Sequence, residues 1–277
     1  MCMIDLRKNC DFKSQQVIAV LVTTSYEATE EIMQQARRLA EEANATWVMR
    51  RRNTLNKLRE LYGDSQILTV ENDGSLKYYV RGAEPLFFHP STAQVRIKRL
   101  IRGEPDAMLA ASGAEPGDTV LDCTAGLGSD SIVFSFYVGQ QGSVMALESS
   151  DPLYRIVSRG LATYESGIEA LDAAMRRIRL VHVEHLPAMQ ALPDNSMDIV
   201  YFDPMFRSPL AESAVLRPLR PIANMEAVSQ AAIREARRIA RKRIVMKENA
   251  RSEEFARLGF DEVHRSYSKI AYGVIRL

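Results

Sequence analysis

The chain has 277 residues, 46% hydrophobic and 26% charged, a balance that suits a folded globular protein with a substantial buried core. Lys and Arg number 36 against 35 Asp and Glu, a formal charge of +1, so affinity for a polyanion has to come from local clusters. No apolar stretch approaches the roughly 18–20 residues of a membrane helix.

The first residues, MCMIDLRKNCDFK, carry early charges and no secretory apolar core. The three cysteines, Cys2, Cys10 and Cys123, have no CxxC spacing, which argues against a disulfide framework or a thiolate zinc site. A cytoplasmic protein with no membrane association and no metal site is expected.

Residues 17–22 read as a buried strand, and Thr23-Thr-Ser25 as a turn with a helix N-cap. Ile32, Ala36, Leu39 and Ala43 then draw an apolar stripe on a helix over residues 27–43. A short strand over 45–49 and a short helix over 54–62, ended by Gly63, follow. Residues 66–70 and 76–80 flank Asp73-Gly74, a hairpin signal. A small N-terminal α+β region is therefore expected over residues 1–100, with a boundary near 100–118.

From Gly117 the pattern becomes a regular alternation. Strand-like segments at 119–123, 143–148, 178–183, 198–202 and 243–247 are separated by helical stretches at 130–137, 152–164, 225–241 and 253–258. This predicts an α/β fold over residues 101–277, a doubly wound, mainly parallel sheet with helices on both faces. Residues 269–277 are expected to close the sheet edge. Ligands of such sheets sit at the carboxyl ends of the strands.

The first of these strands ends in Asp122-Cys-Thr-Ala-Gly-Leu-Gly-Ser-Asp130. Gly126 and Gly128 permit a sharp turn and close approach to a ligand, and the helix that follows offers free N–H groups. A dinucleotide loop would carry a third glycine where Ser131 stands. Asp122 would repel a pyrophosphate but suits an ammonium or sulfonium group. Glu148, 22 residues after Gly126, ends the next strand, where a carboxylate can accept hydrogen bonds from both hydroxyls of a ribose. Alone, Glu148 reads equally as a cap for the next helix; with Asp122, Gly126, Gly128 and Asp130 it marks a nucleoside site. The third strand ends at Glu184-His185, where a group reading an adenine amino edge would stand, with Glu184 the candidate acceptor. His182 and His185 are unsuited to a shared metal, and His182 reads as a strand residue.

The fourth strand ends in Asp203-Pro-Met-Phe206. With this motif, residues 117–277 resemble the class I S-adenosylmethionine-dependent methyltransferases, and DPMF is similar to the D/N-P-P-Y/F tetrapeptide of members that methylate amino nitrogens conjugated to a planar system. Asp122–Asp130 and Tyr201–Phe206 look most like the small-subunit ribosomal RNA guanine-N2 methyltransferase family, whose corresponding segments read close to DATAGLGRD and LDPMF. The resemblance implies S-adenosyl-L-methionine as cofactor and RNA, as small-subunit rRNA or a ribosomal subunit, as partner. It places Thr124, Ala125, Gly126, Gly128, Ser129 and Asp130 in the cofactor loop and Glu148 on the ribose with Ser149 beside it. Glu184 and His185 would flank the adenine, and Asp203 would lie between cofactor and substrate. Ser129 replaces a family arginine, Glu184-His185 replaces two serines, and the N-terminal region is longer than the family's.

The chemistry of DPMF stands apart from the resemblance. An exocyclic amine on a nucleobase is a poor nucleophile because its lone pair is delocalised into the ring. Accepting both amine hydrogens, on the Asp203 carboxylate and the Pro204 carbonyl, exposes that lone pair, while Phe206 stacks on the base and aligns it. A base within a helix would have to be flipped out. Alone, Asp-Pro is also a common strand-ending turn. Four basic clusters, Arg50–Arg52, Arg96 to Arg99, Arg176 to Arg179 and Arg234 to Arg243, are candidate phosphate contacts or solvated helix faces. The first two, with residues 87–91, are the preferred RNA rim, and Lys247 ends a strand where it could face the pocket. The other readings are a methyltransferase for a DNA base, protein amide or small amine, a nicotinamide-dependent dehydrogenase, and a non-catalytic nucleoside-binding module.

Overall fold

The computed structural model describes residues 20–63, 66–204, 226–265 and 269–277, and they form two sheets. The N-terminal sheet contains β1 (Val20–Thr24), β2 (Thr46–Trp47), β3 (Gln66–Val70), β4 (Leu76–Tyr79) and β5 (Leu86–Phe87), in the order β2-β1-β3-β4-β5. β1 runs parallel to β2 and β3, whereas β4 and β5 add antiparallel. Helix α1 (Glu30–Glu42) buries Ile32, Ala36, Leu39 and Ala40, close to the stripe read from sequence, and α2 spans Leu55–Tyr62. The expected turn at Thr23–Ser25 is displaced. Thr23 and Thr24 continue β1 by pairing with Thr69 and Val70, and the helix is capped by Thr29, whose hydroxyl accepts from the Ile32 N–H.

Two helices that periodicity missed, α3 (Ser91–Ile101) and α4 (Ala107–Ser112), carry the chain onward. The Asp106 carboxylate caps α4 by accepting from the Met108 and Leu109 N–H groups. The second sheet contains β6 (Thr119–Asp122), β7 (Ser143–Glu148), β8 (Arg179–His182), β9 (Met197–Phe202), β10 (Ala240–Asn249), β11 (Glu262–Arg265) and β12 (Ile270–Arg276), in the order β11-β12-β10-β9-β6-β7-β8. Five strands, β8 to β10 across the sheet, are parallel. Helices α5 (Ser129–Val138), α6 (Asp151–Thr163), α7 (Glu169–Arg177), α8 (His185–Ala191), α9 (Gln230–Ile239) and α10 (Glu254–Leu258) complete the unit. The expected doubly wound α/β fold is present, and its topological switch point lies between β6 and β9. One expectation fails. The C-terminal strand β12 is not the edge but inserts antiparallel between β10 and β11, giving all but the ends of its backbone a partner on each side.

A single apolar cluster runs from Val22 and Ile32 through Phe88 and Ile97 to Val157, Tyr201 and Val274, so the two sheets share a packed core. Phe88 lies against α6 so tightly that a Cβ on Gly160 would stand 2.0 Å from its ring. The same ring meets Tyr164 edge to face at 5.7 Å, and Arg155 of α6 donates to the Glu42 carbonyl at 2.9 Å. Among the described residues no helix is long and apolar enough to cross a membrane.

Candidate active site

A cavity of about 400 Å³ opens at the carboxyl ends of β6, β7, β9 and β10. The loop leaving β6 forms its floor: Gly126 (φ 52) and Gly128 (φ 79) hold left-handed conformations that an L side chain rarely adopts, and Gly128 is the N-cap of α5. Thr124, Ala125, Gly126, Ser129 and Asp130 are in the cavity wall, whereas Gly128 shapes the turn from outside it. From β7 come Glu148 and Ser149. Glu148 Oε2 accepts from the Gly126 N–H at 3.0 Å and Oε1 from the Ser150 N–H at 2.8 Å. Each oxygen keeps a lone pair for a further donor. Burial raises the Glu148 pKa above the ordinary carboxylate value, opposed by these backbone N–H groups.

Asp122 needs correction. Its carboxylate does not border the cavity; it is 1% exposed beneath the loop, accepting from the Thr124 N–H at 3.0 Å and from the Ser131 hydroxyl. The residue in place of a third glycine is thus the partner that holds Asp122 under the loop. Burial pushes the Asp122 pKa up to about 7, against the pull of those two hydrogen bonds.

Asp130 anchors a chain of alternating charges. Arg96 of α3 forks onto Asp106 at 2.7 and 2.8 Å and also contacts Asp130 Oδ1. Asp130 Oδ2 accepts from the Tyr201 hydroxyl at 2.7 Å and from Lys247 at 3.0 Å. Lys247 in turn reaches Asp203 Oδ2 at 2.6 Å. Burial alone would lift the Asp130 pKa, but the Lys247 and Arg96 charges outweigh it and hold the group well below the usual range. Burial likewise lifts Asp203, to about 6, with Lys247 pulling the other way and the Asp130 charge adding to the rise. For Lys247, burial is overcome by the charges of Asp130 and Asp203, so its ammonium is retained. The Asp203 N–H donates to Thr124 Oγ1 at 2.6 Å, tying the motif after β9 to the loop after β6.

Asp203 and Pro204 both stand in the cavity wall; Phe206 lies outside the described residues. Val183 and His185 line the adjoining end, and burial lowers the His185 pKa, favouring the neutral ring. Glu184 is exposed and outside the wall, because it occupies the N-cap position of α8 and its neighbours turn inward instead. His182 stacks on Tyr154 at 5.1 Å, with Nε2 3.1 Å from the Ser149 carbonyl oxygen.

Several basic clusters are occupied elsewhere. Arg241 pairs with Asp198, Lys242 with Glu115 and Asp118, and Arg243 donates to the Ala111 carbonyl, all at the amino ends of the strands, away from the cavity. Arg176 and Arg177 donate to backbone carbonyls. Arg50 is spent on the Thr24 and Asn53 carbonyls and on the Tyr26 ring, and Arg96 belongs to the charge chain rather than to a rim. Arg51, Arg52, Lys98 and Arg99 remain exposed, Arg99 with Glu104 as partner. Sequence gave no sign of the Arg96–Asp130 contact, which joins positions 34 residues apart.

A cavity walled by carboxylates at the switch point of a sheet in this strand order has the layout of a Rossmann-like, class I methyltransferase. The family model for SAM-dependent methyltransferases matches residues 85–258, and the chain belongs to that family, with S-adenosylmethionine as cofactor. The Bacillus subtilis protein YpiP, itself uncharacterized, is 40% identical over 256 residues, 92% of this chain and 99% of that protein. Ribosomal RNA small subunit methyltransferase J of Actinobacillus succinogenes is 29% identical over 150 residues, 53% of this chain and 56% of the relative. The enzyme of that name from Cronobacter sakazakii is 31% identical over 131 residues, 46% of this chain and 51% of the relative. The chain therefore spans about half the length of these two rRNA methyltransferases. A crystal structure of a SAM-dependent methyltransferase from Neisseria gonorrhoeae shares the fold, with a TM-score of 0.62 at 20% identity over 93% of this chain and 96% of that one.

The residues present fit the cofactor. The cavity volume lies in the range of small-molecule sites. Glu148 keeps acceptor capacity for a diol, and the loop of Thr124 to Asp130 supplies backbone and hydroxyl groups for a zwitterionic amino-acid end.

Proposed function

We propose that this methyltransferase acts on an exocyclic amine of a nucleobase, guanine N2 in small-subunit ribosomal RNA. The observation that carries the reading is the placement of Asp203 and Pro204 in the wall of the same cavity as Glu148. The partial similarity to enzymes named ribosomal RNA small subunit methyltransferase J supports it. In this reading Glu148 accepts from the ribose hydroxyls with Ser149 beside it, and Val183 and His185 flank the adenine. Thr124, Ala125, Gly126, Ser129 and Asp130 hold the amino-acid end, with Asp122 and Gly128 maintaining the loop from behind.

S-adenosylmethionine supplies a methyl group made electrophilic by a sulfonium. Asp203 and the Pro204 carbonyl accept the two amine hydrogens, draw the nitrogen towards tetrahedral geometry and expose its lone pair. Phe206 stacks on the base. Holding the amine in line is the main contribution, since effective molarity makes alignment worth several kcal/mol, about 7 or more in the best cases. Once methylated, the nitrogen carries a positive charge and is strongly acidic. One proton then passes to Asp203, whose pKa near 6 suits a temporary acceptor at neutral pH, and from there to water.

Residues 1–100 are read as the substrate-recognition region, with the exposed Arg51, Arg52, Lys98 and Arg99 as phosphate contacts and Thr92 of α3 lining the cavity. An unpaired or flipped base in the cytoplasmic ribosomal RNA would enter between this region and β9. The test is methyl transfer from labelled cofactor to small-subunit RNA by the full chain and by Asp203→Asn. Transfer lost in the variant, with cofactor affinity within about threefold, supports the assignment; equal loss of cofactor binding would overturn it.

A further inference from the structure

We propose that Lys247 is a positioning residue for methyl transfer: it clamps Oδ2 of Asp203 and leaves Oδ1 to accept from the substrate amine. The inference rests on the reading of Asp203 as the amine acceptor and adds to it the group that orients that carboxylate.

The geometry is specific. Lys247 rises from β10 beside the end of β9, because Met246 pairs with Phe202 and the next residue of each strand reaches the cavity. Its side chain is 18% exposed, and its Nζ lies 2.6 Å from Asp203 and 3.0 Å from Asp130. An ammonium on a flexible stem is usually hard to localise, yet here its position is set from behind. Asp130 is held by the Tyr201 hydroxyl and by Arg96, and Arg96 is itself forked onto Asp106, the cap of α4. The order Asp106, Arg96, Asp130, Lys247, Asp203 alternates in sign along its whole length. Removing one member leaves a buried charge uncompensated, which is far costlier than losing an exposed pair.

The titratable groups around Asp203 are Asp122 at the end of β6, Asp130 on α5, Tyr201 on β9 and Lys247 on β10, with Tyr272 of β12 facing Asp130 and Lys247 behind them. Lys247 is the nearest cation and stands between two carboxylates. Without it, burial and the Asp130 charge act on Asp203 unopposed, so the carboxylate would be protonated at neutral pH and its second oxygen would no longer be held. Lys247 keeps its own proton throughout and therefore takes no part in proton removal. That step stays with Asp203 and water.

The experiment reads Asp203 directly. Carbon-detected NMR of aspartate-labelled protein, titrated over pH 4–9, identifies the Asp203 carboxyl as the resonance absent from Asp203→Asn. Lys247→Met should raise its midpoint by about two units or more, a hundredfold change in proton affinity. Transfer to small-subunit RNA at pH 7 should fall at least about tenfold and recover as pH rises, with cofactor affinity within about threefold. Lys247→Arg, which retains the charge, should restore the midpoint and much of the turnover. Lys247→Gln, which removes the charge but keeps a polar partner for both carboxylates, takes the place of the methionine form if that does not fold and should raise the midpoint likewise. An unchanged midpoint, or turnover and cofactor affinity falling together, would overturn the proposal. The titration is independent of the RNA, so a shifted midpoint in an enzyme with full activity in Asp203→Asn would sink the reading of Asp203 instead.

Discussion

Glu148→Gln tests the cofactor site with a nearly isosteric change. The carboxylate accepts from the Gly126 and Ser150 N–H groups at 3.0 and 2.8 Å, and in the proposed complex from two ribose hydroxyls. Glutamine presents one acceptor oxygen, and its NH₂ must face an N–H or a hydroxyl that was donating. At least one charge-assisted hydrogen bond to the ribose is lost, about 1.5–3 kcal/mol. At 1.4 kcal/mol per factor of ten, the dissociation constant for S-adenosylmethionine should rise roughly 10- to 150-fold. Isothermal titration calorimetry on the full chain measures this directly. Loss of the buried charge relieves desolvation, since burial raises the Glu148 pKa, so stability should change far less than affinity. An affinity within twofold of wild type would refute the assignment of Glu148 to the ribose.

Three further outcomes follow from packing and charge. Gly160→Ala would put a methyl 2.0 Å from the Phe88 ring, an overpacking that costs about 1–3 kcal/mol; differential scanning calorimetry should show a melting temperature several degrees lower, and an unchanged one would contradict the packing. Arg96→Met leaves Asp106 and Asp130 buried with their shared cation gone, and should destabilise by about 3–5 kcal/mol in urea unfolding, against under 1 kcal/mol if the pairs were exposed. The third concerns pH. The folded-state pKa of Asp122, about 7, lies above its unfolded value near 3.8, so between these values the folded chain binds more protons and stability declines as pH rises. Asp122→Asn should flatten the decline in melting temperature between pH 5 and 8; an identical slope in both proteins would show that Asp122 is not its source.

The strands around the site were legible because each is a short apolar run ended by a residue of different character. Residues 143–148 match β7 in full, and β9 ends at Phe202 as read, with its start one residue earlier at Met197. The motifs were legible for the same reason: Gly126, Glu148 and Asp203 fall at strand ends, where a sheet exposes its backbone to ligands. Helices α3 and α4 were not, since the first begins after Pro90 with a mixed face, Val95 exposed and Ile97 buried, that suits packing between two sheets rather than one. Local spacing also misplaced Asp122 and Glu184. Which way a side chain leaves a strand end depends on partners far along the chain or across the turn, here Ser131 for Asp122 and the entry to α8 for Glu184. The charge chain was invisible for the same physical reason. Its members lie on five different elements or connections, and read singly Arg96 resembled a phosphate contact on the RNA rim and Lys247 a strand-end lysine that could face the pocket, with nothing to join them.

The most direct test of the central claim is methyl transfer from labelled S-adenosylmethionine to small ribosomal subunits and total RNA from a strain lacking this protein, with the labelled nucleoside identified by mass spectrometry. The expected product is N2-methylguanosine in small-subunit RNA. Label on another base or on protein, or no transfer by a chain that binds the cofactor, would contradict it.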